Sequence, residues 1–120
     1  MSAGRYDITI EQGATFTLPI SYKDSNDAVI NLSSNYTARM RIKESHGGSL
    51  LASTESGDST GATITVTLAA SGNNVTISMT ATNTAALNFD SAVYDLELVS
   101  GSEVDRLLEG RVKLKKEVTV

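Results

Sequence analysis

Apolar and polar residues alternate with a period of two along most of this chain. In "ATFTLPIS", Phe16, Leu18 and Ile20 fall on one side, and Thr15, Thr17 and Ser21 on the other. That is the pattern of a half-buried strand. Pro19 lies on its polar side and cannot donate to a ladder, so the strand is expected at a sheet edge or at a bulge. "YKDSNDAVINLSSN" reads as a turn-rich connection anchored by Leu32 and Tyr36. In "TARMRIKE", Ala38, Met40 and Ile42 oppose Arg39, Arg41 and Lys43. "LLAST" reads as a short strand and "ESGDSTG" as a polar loop. "ATITVTLAA" and "VTISMT", joined by "SGNN", put Ile64, Val66, Leu68, Val75, Ile77 and Met79 inside a hairpin. In "TATNTAAL", Thr80 or Thr82 is placed to cap one helical turn held down by Leu87. "AVYDLELV" sets Tyr94, Leu96 and Leu98 against Val93, Asp95, Glu97 and Val99. The last run, "EVDRLLEGRVKLKKEVTV", carries Val104, Leu108, Val112, Leu114 and Val118 at even positions, which leaves Leu107 facing out. Gly110 sits mid-run, where a bulge or bend is expected.

These elements predict an all-β fold, an immunoglobulin-like β-sandwich of about seven to nine antiparallel strands with one short helical turn. The segment "DSAVY" supports it. Many immunoglobulin variable domains carry this string just before their second cysteine. Tyr94 then falls where such domains place a tyrosine corner, its hydroxyl bonding back to upstream backbone.

The length of 120 residues suits one domain, spanning 1–120, with a core of its own. With no cysteine the chain has neither disulfides nor thiolate chemistry, so packing must replace the immunoglobulin disulfide. This fits folding in a reducing cytosol. No signal peptide or membrane-spanning run is evident, and a processed secretory product is not expected. A net charge of −4 disfavours nucleic acid as a partner.

Candidate chemistry is sparse. His46 is the one histidine, in a Gly-flanked turn, and no G-x-S-x-G accompanies it. One His and no Cys do not make a typical zinc site. Asp24, Asn26 and Asp27 offer hard oxygen ligands, but the Gly and distal Glu of a calcium loop are missing, and an Asx turn is the simpler reading. No Lys and following helix accompany the Gly-containing loops, as a phosphate loop requires. Asp95 and Glu97 are two apart on one strand face, roughly 6–7 Å. Paired with Arg39, Arg41 and Lys43 they form a salt lattice that favours charged carboxylates, the wrong state for a general acid. The triplets at Asn31, Asn35 and Asn74 that match a glycosylation acceptor are taken as chance. The expectation is a non-catalytic protein with no cofactor and no metal.

The cations are grouped. Arg39, Arg41 and Lys43 share one strand face, and Arg111, Lys113 and Lys115 share another. No aromatic residues interleave them as nucleic-acid stacking would need. These six, with outward Leu107, are the candidate protein interface, and Val99 is a further apolar contact.

The stretches "YDITIEQGATFTLPISYKDS", "INLSSNYTARMRIK" and "FDSAVYDLELVSGSEVDRLLEGRVKLKKEVTV" resemble small virion structural proteins of tailed phages, notably cyanophages. They are also similar to the N-terminal β-sandwich of phage baseplate upper proteins. The resemblance covers nearly the whole chain and rests most on residues 11–16, 94–98 and 106–110. One departure is Val120, where relatives often carry a polar residue. The resemblance implies a multi-copy structural subunit of the virion, made in the host cytoplasm, at the tail or baseplate. Its partners would be other virion proteins, with no membrane or nucleic acid. Capsid head decoration and a sugar- or receptor-binding module are the alternatives. Tyr6, Tyr22 and Tyr36 are the thin aromatic material for the latter.

Overall fold

The computed structural model describes residues 4–45, 47–54 and 62–116. The expectations for His46, the loop "ESGDSTG", Val118 and Val120 lie outside these residues. The larger sheet contains β1 (Gly4–Arg5), β2 (Ile8–Glu11), β4 (Thr37–Lys43), β5 (Leu50–Ser53), β8 (Ser91–Ser100) and β9 (Glu103–Lys115). Its order is β9-β8-β4-β5, with β1 and then β2 along the outer side of β9. The smaller sheet is β3 (Phe16–Ile20), β7 (Val75–Met79) and β6 (Thr65–Leu68), in that order. Reading β3 to β9 as strands B, C, C′, D, E, F and G gives G-F-C-C′ packed on B-E-D, the arrangement of an immunoglobulin-like sandwich.

The alternating residues become the core. Met40, Ile42, Val75, Ile77, Met79, Tyr94, Leu96 and Leu98 are all buried between the sheets. Each fully buried aliphatic side chain contributes about 1.5–3 kcal/mol of transfer free energy. Among the described residues β3 pairs only with β7, so Pro19 does sit on an edge strand. β6 and β7 form the expected hairpin. Thr80 caps α1 (Ala81–Ala85) by accepting from the Asn83 N–H, and Leu87 is buried beyond it.

Three features depart from the alternation. First, β1 and β2 run parallel to β9, so the sandwich is not wholly antiparallel. Ile8 and Ile10 face the core while Thr9 and Glu11 face out, a period of two too short to stand out near the chain start. Second, β9 slips register against β8. Leu96 pairs with Leu108 but Glu97 pairs with Arg106, leaving Leu107 as the extra residue. A bulge turns the alternation over. Leu107 is therefore buried, at 8% exposure, and Val104 is 47% exposed. The outward assignment of Leu107 is corrected accordingly. Third, the bulge is not at Gly110. That residue is pressed against the chain between β1 and β2, where an added Cβ would overlap the Tyr6 carbonyl.

Two buried polar residues tie loops to the sheets. Asn74 accepts from Tyr22 N–H (2.7 Å) and donates to the carbonyls of Tyr22 (2.9 Å) and Ile30 (2.7 Å). Thr84 accepts from Gly13 N–H (3.1 Å) and donates to the Ala14 carbonyl (2.8 Å), fastening α1 to the β2–β3 turn. Both are wholly buried, and hydrogen bonding offsets the cost of desolvating them.

Candidate docking face

β8 lies between β4 and β9 in the larger sheet, so the two groups of cations share one outward face. Pairing across the three strands sets the rows. Arg39 sits opposite Glu97, and Glu97 opposite Arg106. Arg41 sits opposite Asp95, and Asp95 opposite Glu109. Lys43 sits opposite Val93, and Val93 opposite Arg111. Beyond them Lys113 and Lys115 pair with Thr9 and Glu11 of β2.

The middle of this face is a charge-balanced lattice. Arg39 Nε lies 2.7 Å from Glu97 Oε1. Arg106 reaches Asp95 (3.7 Å) and Glu109 (3.8 Å). Arg106 was not among the residues selected from sequence. It precedes the bulge residue, and its position depends on the register slip. A shallow hollow of about 280 Å3 lies over the lattice, with Arg41, Lys43, Asp95, Glu97, Arg106 and Glu109 around it. Both carboxylates of β8 thus sit among guanidinium groups, as the sequence reading expects.

The end of the face towards Lys115 is different. Lys43, Arg111, Lys113 and Lys115 form no ion pair among the described residues. A second hollow, about 470 Å3, opens there between β2 and β9, with Ile8, Thr9, Ser91, Arg111, Val112 and Lys113 on its walls. Its two acids are already engaged. Asp7 pairs with Arg5 (3.5 Å) and accepts from the Arg111 N–H (3.0 Å), and Asp90 pairs with Lys116 (3.3 Å).

Seven of the ten lysines and arginines stand on this one face: Arg39, Arg41, Lys43, Arg106, Arg111, Lys113 and Lys115. The chain as a whole carries −4. Leu107 does not join them, and the apolar pair on this face is half-buried Val99 and exposed Val104, opposite each other at its far end.

Tyr94 does use its hydroxyl on backbone, but not at a local corner. The bond runs to the Tyr6 carbonyl, at 2.6 Å. Among the other candidates, Asp24 forms an Asx turn, its Oδ1 accepting from Asn26 N–H (2.8 Å) and Ala28 N–H (3.1 Å). Tyr22 and Tyr36 pack against the core, and Tyr6 is 49% exposed. Among the described residues no group of three or more acidic or histidine side chains is arranged to hold a metal ion. No helix there is long and apolar enough to cross a membrane. No protein-family model matches the chain, and no curated protein matches it.

Proposed function

We propose that this chain is a non-catalytic structural subunit, present in many copies in a tailed-phage virion at the tail or baseplate. It joins neighbouring proteins through the outward face of its larger sheet. The observation that carries the docking role is the concentration of cations on that face, in a chain that is acidic overall. Uneven charge of this kind steers association and selects partners. The non-catalytic reading is supported by the engagement of Asp95 and Glu97 in ion pairs with Arg106 and Arg39 across the sheet. The phage setting rests on the whole-chain resemblance and on the family analogy it brings.

Mass spectrometry and cryo-microscopy of particles purified from an infected culture test this. Density for the chain in repeated copies on the tail or baseplate is the expected result. Density on the capsid shell would transfer the role to head decoration. Absence from the particle would remove the structural role. Arg111→Glu with Lys113→Glu should impair incorporation while the isolated domain stays folded. Normal incorporation of that variant would move the interface off this face.

A further inference from the structure

Strand β9 carries opposite charge at its two ends. It opens with Glu103 and Asp105 and closes with Arg111, Lys113 and Lys115. Asp105 and Lys113 are eight residues apart, about 26 Å at strand rise. The molecule is 46 Å in its longest dimension.

The acidic end is reinforced from another loop. Residues 23–29 close on themselves by the Lys23–Val29 bridge. Asp105 lies near enough to Tyr22 for its charge to help raise the phenol pKa, behind the larger effect of burial. The Asx turn at Asp24 fixes the loop and leaves the Asp27 side chain 87% exposed. Lys23 is the cation in this loop, and it is already paired with Asp27 at 3.6 Å.

We infer that copies of this chain associate head to tail, the acidic end of one seating against Arg111 and Lys113 in the hollow between β2 and β9 of the next. This deepens the docking reading of the sheet face by naming the partner as a second copy. Three observations select that partner. The two patches have opposite charge, which favours their contact. They lie at opposite ends of one strand, so a single copy cannot satisfy both. Asp105 pairs with core-facing Leu98 whereas Arg111 pairs with outward Val93, so the two patches point to opposite sides of the sheet, one docking cannot engage both, and the contact is heterologous and propagates from copy to copy.

Neutralising variants test it by sedimentation velocity at low salt, with folding checked by circular dichroism. The wild-type chain should associate as concentration rises and return to monomer at high salt. Arg111→Gln with Lys113→Gln should abolish association, as should Glu103→Gln with Asp105→Asn. A mixture of the two variants should form a species of two chains and nothing larger, because each retains one intact end. A monomeric wild type would overturn the inference. So would association in the wild type without formation of the mixed pair. If the inference fails while Arg111→Glu with Lys113→Glu still blocks incorporation into particles, the face docks a different protein and the docking reading stands. If incorporation is also unaffected, both fall.

Discussion

The hydroxyl of Tyr94 donates to the backbone carbonyl of Tyr6, 88 residues away along the chain. Three residues make the contact possible. Gly110 pairs with Tyr94 on β9 and has no side chain, so the Tyr6 carbonyl can come in over it. With that carbonyl turned inward, the Asp7 carboxylate accepts the Arg111 N–H. The first strand is therefore held to the sandwich by a side chain from the middle of the larger sheet. Tyr94→Phe should cost about 0.5–1.5 kcal/mol, since it removes the donor and keeps the ring. Tyr94→Ala should cost about 3–5 kcal/mol as a core truncation. An unchanged denaturation midpoint in Tyr94→Phe would show that the bond contributes nothing.

The same phenol sets a pH dependence. Its pKa is raised above the usual value of about 10, first by burial, then by the charge of Asp7 and by Tyr6, with Arg5 opposing. As pH rises the unfolded chain loses this proton before the folded chain does. The contribution is complete below about pH 10 and is lost as pH climbs through the folded-state value. Chemical denaturation of wild type and Tyr94→Phe should diverge below that limit and converge above it. Parallel curves across the alkaline range would contradict the assignment.

Gly110→Ala should destabilise by about 1–3 kcal/mol, because the new methyl meets backbone rather than a side chain that can move. The loss should be localised. Hydrogen exchange should accelerate at Ile8 and Ile10 before it does at Ile77. Uniform acceleration would mean that the first strand is not a separately held element.

Asn74→Ala should cost about 2–4 kcal/mol, since three buried hydrogen bonds to the backbone of residues 22 and 30 are lost. Asn74→Asp should not rescue, because a carboxylate cannot donate to the Tyr22 and Ile30 carbonyls. Stability within 0.5 kcal/mol of wild type for either variant, roughly the scale of an ordinary surface change, would remove Asn74 from the frame.

The bulge gives a paired test. Leu107→Ala should cost about 2–4 kcal/mol as a buried truncation. Val104→Ser should stay within about 0.5 kcal/mol. Equal effects would restore the unbroken alternation.

Sequence alternation located β3, β4, β6, β7 and β8 because each holds one phase from end to end. It misjudged β9 because a bulge changes phase without changing composition, so Leu107 and Val104 exchanged roles. The parallel edge was harder still. β1 and β2 are short, and their pairing with β9 spans almost the whole chain, which no local pattern encodes. The acceptor for Tyr94 was out of reach for the same reason. Asn74 read as a chance triplet because its partners lie 44 and 52 residues away. The cation rows themselves were legible from phase. Their union on one face was not, since it depends on β8 lying between β4 and β9.

The parallel pairing of β1 and β2 with β9 also decides how the domain bears load. A pull that draws the first strand backward and the last strand forward slides the two past each other. The backbone hydrogen bonds between them must then yield together, instead of parting one at a time as in a peeled hairpin. Tyr94–Tyr6 adds a cross-tie between the pulled strand and the sheet behind it. The sandwich is therefore built to resist stretching along β9 more strongly than its modest number of edge contacts suggests.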